Sequence, residues 1–310
     1  MRVLITGAAG FIGGHLARRL ADDHHEVVAL DNLSAGVIEN IDSRAEFHRD
    51  DIRSTSIYPR FARVDTVFHF AARNCLADCL ADPVETAQIN VAGTANVLEA
   101  ARRAGVRKLV FADTSAEYEG VLRFPSVVEH VAPLSVYARS KRAAFLFCEA
   151  YQQFYGLTLT TLRYFNVYGP GQDWRRTIPP VMSAFAMKLI RGDRPVIYGN
   201  GEKRRDFVFI DDVTAFNLRT LTDPRTDNQV FNVGSGVNNS VNEIFTAVES
   251  ILGTGLQPQY LDDLPGEAQE TLADISVSTQ LGWQPSIDLN AGIRRSIAHM
   301  RDHVLPCSRP

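Results

Sequence analysis

A tyrosine and a lysine four residues apart are the side chains in this sequence best suited to acid–base chemistry. Tyr137 and Lys141 lie in the run YARSK, at the predicted start of a helix, so both side chains project from one face. A lysine ammonium beside a phenol stabilises the phenolate and lowers the phenol pKa from its ordinary value of about 10. Such a tyrosine can act as a general base near neutral pH, taking a proton from a sugar hydroxyl as hydride leaves the carbon. The alternative is an ordinary surface pair, because this spacing is common by chance.

Three glycines near the N-terminus predict a phosphate-binding turn. The segment MRVLITGAAGFIGGHLARRL begins with a short apolar strand, continues through Gly7, Gly10 and Gly13, and then shows helical spacing of apolar residues. The backbone N–H groups of such a turn and the positive end of the following helix attract an anion, and glycine leaves its approach open. The spacing is G-x-x-G-x-x-G, not the commoner G-x-G-x-x-G. Followed by an acid at the end of a second strand, it indicates a dinucleotide fold.

That acid indicates which dinucleotide is bound. Residues 26–30 read EVVAL and are followed by Asp31, which lies close to the ~20 residues beyond the glycines expected for the carboxylate that binds the adenosine ribose. A carboxylate repels a 2′-phosphate, and no arginine or lysine occurs between Asn32 and Val37 to bind one. We therefore predict NAD, and not NADP, as the cofactor. A turn aspartate without a ligand is the alternative.

Predicted strands and helices alternate through the first half of the chain. Strands at residues 64–70, 108–112 and 157–162 are separated by helices at about 83–105 and 137–155. This alternation predicts an α/β fold, a Rossmann-type doubly wound parallel sheet. The strand at residues 108–112 delivers Asp113, Thr114 and Ser115 to the carboxyl edge of the sheet, where ligands bind in open α/β folds.

The composition changes near Gly169, where proline, glycine and arginine become frequent (GPGQDWRRTIPP). We therefore predict an NAD-binding Rossmann domain at residues 1–169 and a smaller mixed α/β C-terminal substrate lobe at residues 170–310. Strands at about 207–210 and 229–233 are expected to return to the first sheet. A closing helix is expected at 288–303 and a frayed tail at 306–310.

Composition excludes several classes of protein. The 310 residues are 45% hydrophobic, enough for one large or two modest cores, and a net charge of −4 gives no electrostatic reason to bind nucleic acid or an anionic membrane. No window approaches the roughly 18 apolar residues of a transmembrane helix, and the chain enters its first strand too early for a secretory signal. Four sparse cysteines fit a reducing cytosol, so a cytoplasmic location is expected. The spacing of Cys75 and Cys79 is a poor match to a zinc site, and no metal is expected.

Motifs along the whole chain resemble the extended short-chain dehydrogenase/reductase family, and within it the NDP-sugar 4-epimerases. The matching segments are TGAAGFIG, LDNLS, DDIR, FHFAAR, NVAGTANVLEA, LVFADTSAEY, YARSK, RYFNVYGPG, GNGEKRRDFVFIDD and LADIS…LGW. The resemblance implies an isomerase of nucleotide sugar metabolism and polysaccharide biosynthesis that inverts C4 of a UDP-sugar through a transient 4-keto sugar, with NAD reduced and reoxidised in each turnover. It also implies a homodimer, in which the two long helices of each subunit meet and Phe145, Cys148 and Gln152 are candidates for the seam.

The resemblance assigns roles to individual residues. Tyr137 would deprotonate O4 of the sugar beside Lys141, and the Thr114 hydroxyl would hydrogen-bond O4, with Ser115 as the alternative if the register shifts by one. The expected cofactor-binding residues are Gly7, Gly10, Phe11, Ile12, Gly13, Asp31, Asn32, Asp51, Ile52, Phe70, Ala71, Ala72, Asn90, Thr114, Tyr137, Lys141 and Tyr164. The expected substrate-binding residues are Asn166, Arg205 and Thr271.

Departures from the family pattern bear on the substrate. Leu264 stands where the family usually has an arginine, which Arg175 or Arg176 would have to replace. Cys79 stands where relatives usually have serine. Thr271 stands where glucose-type epimerases often carry a bulky tyrosine, so we expect UDP-GlcNAc and UDP-GalNAc to fit as well as UDP-Glc and UDP-Gal.

The residues after Thr114 bear on the reaction type. The 4,6-dehydratases carry Asp-Glu there and the decarboxylases a glutamate, whereas Ser115 and Ala116 cannot transfer protons. Epimerisation is therefore favoured. An NDP-sugar dehydratase, or a UDP-glucuronate epimerase or decarboxylase, is the alternative, because Glu117 and Glu119 place unusual acids nearby. A non-catalytic NAD-binding protein is the lesser alternative.

Overall fold

The computed structural model describes residues 1–173, 175, 178–263 and 268–304. The strands are β1 (Arg2–Thr6), β2 (Glu26–Asp31), β3 (Glu46–Arg49), β4 (Thr66–His69), β5 (Lys108–Thr114), β6 (Thr158–Tyr164), β7 (Asn166–Tyr168), β8 (Val196–Tyr198), β9 (Arg204–Phe209), β10 (Gln229–Val233), β11 (Asn238–Ser240) and β12 (Gln259–Leu261). The helices are α1 (Phe11–Asp22), α2 (Leu76–Ala81), α3 (Pro83–Ala87), α4 (Thr94–Ala104), α5 (Val136–Tyr155), α6 (Val181–Ile190), α7 (Ile210–Thr222), α8 (Val241–Leu252), α9 (Ser276–Gln280) and α10 (Leu289–His299).

The chain forms two compact units, each built from separate segments. The first contains Met1–Val121, Val128–Tyr164 and Thr214–Val233, and the second contains Leu122–Val127, Phe165–Val213 and the chain from Gly234 onwards. One of the points at which the chain passes from the first unit to the second follows Tyr164, the last residue of β6, after which β7 pairs with β9.

A seven-stranded parallel sheet forms the first unit, in the order β10-β6-β5-β4-β1-β2-β3. Its central strands are apolar and buried because helices cover both faces, as is usual for parallel sheets. The order reverses beside β1, which is the switch point where such sheets bind ligands. The predicted Rossmann-type α/β fold is therefore confirmed.

Two long helical segments pack on this sheet. α3 and α4 are joined without a break by a π-helical segment, Gln88–Gly93, and α4 ends at Gly105 in the left-handed conformation. α5 begins after Ser135, whose hydroxyl accepts a hydrogen bond from the backbone N–H of Ala138, and ends at Gly156. Both helices were predicted from apolar periodicity and terminal glycines.

The faces of α5 differ from our expectation for the dimer seam. Phe145 and Cys148 are buried in the core of the first unit, 7% and 1% exposed. Leu146, Phe147 and Phe154 are instead exposed on the same helix. Phe145 and Cys148 lie on the face of α5 that packs in the core of the first unit. The exposed apolar surface of α5 is formed instead by Leu146, Phe147 and Phe154.

The second unit contains two small sheets, β11-β9-β7 and β12-β8, with α6, α8 and α10 among its helices. Of the two segments expected to return to the first sheet, Gln229–Val233 pairs with β6 there, whereas Phe207 to Phe209 does not. That segment lies in β9, which pairs with β7 on one side and β11 on the other, so both of its edges are occupied. The predicted closing helix is α10, continued by a π-helical segment to Val304.

Candidate functional site

The glycine turn between β1 and α1 leaves no space for side chains. Gly7 has φ +72°, and a Cβ there would lie 2.7 Å from the backbone nitrogen of Ala71. A Cβ on Gly13 would overlap the carbonyl oxygen of Gly7. Gly10 precedes the first residue of the helix, Phe11, and its backbone N–H donates to the Gly7 carbonyl at 3.1 Å. This cradle of bare backbone at a helix N-terminus fits a pyrophosphate.

The acid after β2 is tied to that turn. Oδ2 of Asp31 accepts a hydrogen bond from the backbone N–H of Ala9 at 3.0 Å, and Oδ1 accepts one from Leu33 at 2.7 Å. Burial raises the pKa of Asp31 above its ordinary value, and these two hydrogen bonds oppose the shift. Each carboxylate oxygen keeps a second lone pair for a ligand hydroxyl, which is the geometry that a ribose diol requires.

Polar residues after β3 lie beside this acid. The side-chain amide of Asn32 donates to Oδ2 of Asp51 at 3.0 Å. Arg53 also pairs with Asp51, at 2.7 Å, and holds the pKa of that carboxyl well below its usual range. Since Arg53 binds Glu85 as well, at 2.9 Å, its charge is already balanced by two carboxylates. Ile52 is buried in the apolar core of the first unit and packs near Gly93.

Asn90 connects the segment after β4 to the helix that carries Tyr137. Its side chain accepts from the backbone N–H of Arg73 at 2.7 Å and donates to the Arg73 carbonyl and to Oγ of Ser140, both at 2.9 Å. Ser140 in turn donates to the carbonyl of Tyr137 at 2.7 Å. Phe70, Ala71 and Ala72, which come directly after β4, are therefore held in register with the start of α5.

Tyr137 and Lys141 occupy the first two turns of α5. Tyr137 is half-buried, whereas Lys141 is 3% exposed and its Nζ lies 4.1 Å from the ring centroid of Phe111. Burial lowers the pKa of Lys141 below its ordinary value, and the negative charge of Asp113 opposes this. A cation over an aromatic face and near a carboxylate can remain charged in the protein interior.

A neutral histidine was not identified from the sequence in this region. His69, at the end of β4, is buried, and its Nδ1 and Nε2 lie 2.7 Å and 2.9 Å from the hydroxyls of Thr6 and Thr94. Thr94 already donates to the Asn90 carbonyl, so it accepts from Nε2–H of His69, and Thr6 donates to Nδ1. Burial and the charge of Lys141 lower the pKa of His69 to about 3. The imidazole is therefore a structural tie between β1, β4 and α4. Only the apolar character of its strand was visible in the sequence.

Thr114 is the last residue of β5 and is buried. Its hydroxyl accepts a hydrogen bond from the backbone N–H of Ala116 at 3.1 Å and so caps the 3₁₀ turn Ser115–Tyr118. Ser115 is half-buried in that turn. The same Thr114 oxygen has capacity for a further hydrogen bond.

Glu119 has a structural role in the loop before α5. Its carboxylate accepts from the backbone N–H groups of Leu134 and Ser135, at 3.1 Å and 2.6 Å, and from the Ser135 hydroxyl at 2.8 Å. It thus fixes the residue that caps the N-terminus of α5.

Cys79 is buried, with its Sγ 3.4 Å from the carbonyl of Arg73, and burial raises the pKa of its thiol.

Tyr164 ends β6 and is buried in the first unit. Its hydroxyl donates to the side-chain oxygen of Asn217 at 2.7 Å, and its ring centroid lies 6.3 Å from that of Phe70. Burial raises the pKa of this phenol well above its ordinary value. The Tyr164 phenol is therefore neutral, and its ring packs beside that of Phe70.

In the second unit, two of the three predicted substrate residues, Asn166 and Thr271, hydrogen-bond the backbone of one aspartate. Asn166 donates to the carbonyl of Asp206 at 2.9 Å and to Oγ1 of Thr271 at 3.4 Å. Thr271 also accepts from the backbone N–H of Asp206 at 3.2 Å, and Arg205 is its neighbour in β9. The buried Asp206 carboxylate accepts from the backbone N–H groups of Ser235, Gly236 and Ala273. Asp206 was missed by our sequence reasoning, although the RRDF run contains it.

Two further expectations concern an arginine that compensates for Leu264. Arg175 donates to the Asp173 carboxylate at 3.0 Å. Leu264, Arg176 and the tail at 306–310 lie outside the described residues. Within the described part of the chain, no helix is long and apolar enough to cross a membrane. The same residues include no group of three or more histidine, cysteine or acidic side chains placed to hold a metal ion.

Residues 3–234 match the NAD dependent epimerase/dehydratase family. The chain is 36% identical to the UDP-glucose 4-epimerase of Mycolicibacterium smegmatis over 312 residues, covering 97% of this chain and 99% of the relative. The crystal structure of UDP-glucose 4-epimerase from Thermotoga maritima with UDP-glucose superposes with a TM-score of 0.94 at 33% identity, covering 97% of this chain and 99% of that one.

A second solved structure widens the range of related substrates. The UDP-N-acetylglucosamine 4-epimerase from Methanobrevibacter ruminantium, in complex with UDP-N-acetylmuramic acid, superposes with a TM-score of 0.93 at 30% identity, covering 98% of this chain and 99% of that one. The glycine cradle, the acid after β2 and the matched length together identify this chain as a member of the NAD-dependent epimerase/dehydratase family.

Proposed function

We propose that this protein is an NAD-dependent nucleotide-sugar 4-epimerase that interconverts UDP-Glc and UDP-Gal, UDP-GlcNAc and UDP-GalNAc, or both pairs. The observation that carries the proposal is the pair Tyr137 and Lys141 at the start of α5, tied through Ser140 and Asn90 to the segment after β4. The relatives named above act on both kinds of sugar.

In this proposal, Tyr137 and Lys141 carry the proton transfer. The chemistry that bound NAD supplies is reversible acceptance of hydride from C4. Tyr137, as phenolate, takes the proton of O4 while C4 is oxidised to a ketone, and it returns that proton when C4 is reduced from the opposite face. The Lys141 ammonium stabilises the phenolate, and Thr114 donates a hydrogen bond to O4. Because one proton and one hydride leave and return, the product is an isomer of the substrate.

Cofactor and substrate would be bound by different parts of the chain. Gly7, Gly10 and Gly13 would hold the pyrophosphate of NAD, and Asp31 would hold its adenosine ribose. Asn166 and Arg205 of the second unit would bind the diphosphate of the nucleotide sugar. The guanidinium group of Arg205 is suited to this because it can donate two parallel hydrogen bonds to a phosphate.

The residues after β5 favour epimerisation over dehydration or decarboxylation. Those reactions need an additional acid or base, and Ser115 and Ala116 provide neither. Glu117 is fully buried, and Glu119 already accepts three hydrogen bonds from the loop before α5. Neither carboxylate is available to a substrate in this arrangement.

Product analysis tests the reaction type. Purified protein is incubated separately with UDP-Glc, UDP-GlcNAc, UDP-GlcA and their C4 epimers, and products are identified by NMR. We expect each accepted substrate to give its C4 epimer. A 4-keto-6-deoxy sugar would contradict the epimerase proposal in favour of a dehydratase, and a pentose product would favour a decarboxylase.

A matched pair of variants tests whether the hydroxyl of Thr114 or that of Ser115 donates the hydrogen bond to O4. We expect Thr114→Val to lower kcat by roughly 10-fold to 100-fold, because it removes one donor to the developing oxyanion. Ser115→Ala should retain activity within about 2-fold, since surface-type changes outside a site cost little. The rates are measured with saturating substrate, and thermal unfolding controls for the lost cap at Ala116. The opposite pattern would assign the hydroxyl role to Ser115.

Thr271 is expected to set the size of the accepted sugar. Replacing Thr271 by tyrosine fills the space beside Asn166, so UDP-GlcNAc turnover should fall about 100-fold while UDP-Glc turnover changes little, since steric exclusion of one substituent acts on one substrate only. Thr271→Val, which keeps the volume and removes the hydroxyl that accepts from Asp206, is the control for lost hydrogen bonding. Retained UDP-GlcNAc turnover in the tyrosine variant would rule out this role.

We also propose a homodimer of cytoplasmic location that serves nucleotide sugar metabolism and polysaccharide biosynthesis. Support for the dimer comes from apolar side chains exposed on α5 and on the α2–α3 segment, among them Phe154, Leu146, Leu80 and Val84 at 72%, 51%, 71% and 66% exposure. Because α2 and α3 both pack against α5, these side chains lie on neighbouring helices, and exposed apolar surface of this kind is typical of an interaction surface. Light scattering should give twice the 34.3 kDa chain mass, and a monomer mass would contradict the dimer.

A further inference from the structure

Glu119 is an acid that the proposed reaction does not use, and its carboxylate is bound to the loop before α5. Oε2 accepts hydrogen bonds from the backbone N–H groups of Leu134 and Ser135, at 3.1 Å and 2.6 Å, and Oε1 accepts one from the Ser135 hydroxyl at 2.8 Å. Hydrogen bonds to an ionised carboxylate are about twice as strong as those between neutral groups. The side chain of Glu119 therefore holds this loop firmly at one place.

The main chain of Glu119 belongs to the turn that follows β5. Its backbone N–H donates to the carbonyl of Ala116 at 3.1 Å, and Thr114 caps the same turn by accepting from the backbone N–H of Ala116, also at 3.1 Å. A further backbone hydrogen bond, from Ala132 to the Glu117 carbonyl at 2.7 Å, joins the turn to the loop at a second point. Glu119 thus connects the residue that ends β5 to the loop before α5.

Ser135 is the residue that caps the N-terminus of α5. Its hydroxyl donates to Glu119 and accepts from the backbone N–H of Ala138 at 3.0 Å. Because a hydroxyl has one hydrogen to donate and two lone pairs, the carboxylate orients that hydrogen and leaves a lone pair for the helix. Tyr137 lies between Ser135 and Ala138 in the chain, in the first turn of the helix. The position of the Tyr137 side chain therefore depends on where Glu119 holds Ser135.

We propose that Glu119 is a positioning residue that sets the distance between the Thr114 hydroxyl and the Tyr137 phenol. The proposal rests on the proposed function, in which both groups act on O4 of the sugar. Thr114 ends a strand and Tyr137 begins a helix, so neither element alone places the two oxygens relative to each other. Glu119 is bonded to both segments, through its backbone on one side and its carboxylate on the other. A shift of about 1 Å in a reacting group can lower a rate by about 10²-fold, so this connection bears directly on kcat.

Two substitutions at Glu119 separate its hydrogen bonds from its charge. Glu119→Ala removes all three acceptor contacts, and kcat should fall by about 10-fold to 100-fold, while KM stays within about 2-fold because Asn166 and Arg205 would bind the diphosphate. Glu119→Gln keeps an oxygen that can accept from both backbone N–H groups and a nitrogen that can donate to Ser135, so most of the rate should return. An alanine variant with the parental kcat would overturn the proposal, as would a glutamine variant as slow as the alanine variant.

A carboxylate that caps a distant helix provides the matched control. Asp288, before α10 in the second unit, accepts from the backbone N–H of Ala291 at 3.0 Å. Asp288→Ala should lower the unfolding temperature, as Glu119→Ala does, because both variants lose support at a helix N-terminus, but it should leave kcat within about 2-fold. A fall of kcat in both variants in proportion to their lost stability would show a merely structural effect and overturn the proposal.

A double-mutant cycle with Thr114→Val tests the coupling between the two ends of this connection. Without the Thr114 hydroxyl, the substrate oxygen can follow the displaced Tyr137 phenol. The combined loss of kcat in the double variant with Glu119→Ala should therefore be at least about 5-fold smaller than the product of the two single losses. Losses that simply multiply would overturn the proposal.

Amide hydrogen exchange measures the hold of Glu119 on α5 without reference to activity. In the holoenzyme, the amides of Ser135 and Ala138 should exchange at least about 10-fold faster in Glu119→Ala than in the parent protein, and at the parental rate in Asp288→Ala. Unchanged exchange in Glu119→Ala would overturn the proposal. Faster exchange in a protein that turns over no UDP-sugar would support the hold of Glu119 on α5 and count against the proposed function.

Discussion

Tyr137→Phe is expected to lower kcat by about 10³-fold, because it removes the group that takes and returns the O4 proton. The ring is retained, so packing at the start of α5 and the hydrogen bond from Ser140 to the Tyr137 carbonyl should persist. KM should change little, because the phenolate acts mainly in the transition state in which the C4–O4 single bond becomes a ketone and not in substrate binding. The measurement is the initial rate of epimer formation under saturating UDP-sugar, with the bound dinucleotide quantified after denaturation.

A second phenol separates loss of the base from a general effect of the substitution. Tyr198, which is 42% exposed in β8 of the second unit, loses the same hydroxyl in Tyr198→Phe and should retain full activity. If Tyr137→Phe turned over at the parental rate, another group would have to carry the proton. If the parent protein itself were inactive with every UDP-sugar while retaining NAD, the non-catalytic alternative would gain support.

Gly7→Ala is expected to abolish retention of the dinucleotide and to destabilise the first unit. Left-handed φ costs a non-glycine residue about 1–2 kcal/mol, and overpacking adds a further ~1–3 kcal/mol. The added Cβ would meet backbone atoms 2.7 Å away at Ala71 and 2.8 Å away at Phe70, and backbone cannot rotate aside as a side chain can. The turn must then shift away from the segment after β4. Denaturant unfolding gives the stability change, and acid extraction gives the dinucleotide content.

Gly105 provides a control with matched backbone strain. Its φ is +69°, close to the +72° of Gly7, but a Cβ there meets nothing within 4 Å. Gly105→Ala should therefore lose only the stability that left-handed strain costs, about 1–2 kcal/mol, and the variant should keep its dinucleotide. Equal dinucleotide content in the two variants would show that the close approach at Gly7 is unimportant for binding.

Local patterns in the sequence predicted much of the first unit. The strand before Gly7, the acid at the end of β2 and the Tyr137–Lys141 spacing each depend on residues near one another in the chain. Gly7 and Asp31 lie close together because β1 and β2 are parallel neighbours that end at the same edge of the sheet. These features identify a dinucleotide fold with little reference to distant segments.

Other features depend on distant segments and were therefore not predictable from local patterns. The segment Phe207 to Phe209 is as apolar as a central strand of the first sheet, but it pairs with β7, whose three residues carry no clear strand signal. Phe145 and Cys148 are apolar like Leu146 and Phe147, and only the packing of α5 decides which pair is buried. Glu117 is likewise fully buried, with Oε2 3.9 Å from Nη1 of Arg142, which lies on a later helix.

The return of β10 to the edge of the first sheet has a consequence for biosynthesis. Lys108, 1% exposed, donates to the hydroxyl of Thr226 at 2.8 Å and to Asp227 at 2.5 Å, and Tyr118 donates to Asn232 at 2.7 Å. A nascent chain that has just reached Gly169 already contains this lysine and this tyrosine but lacks their partners. The first unit therefore completes its interior only after the ribosome has synthesised a further 64 residues, from 170 to 233, most of which belong to the second unit. The first half of the cofactor-binding unit must therefore wait for a later part of the chain before the unit can finish folding. Because the segments of the two units alternate along the chain, no single cleavage separates the units intact.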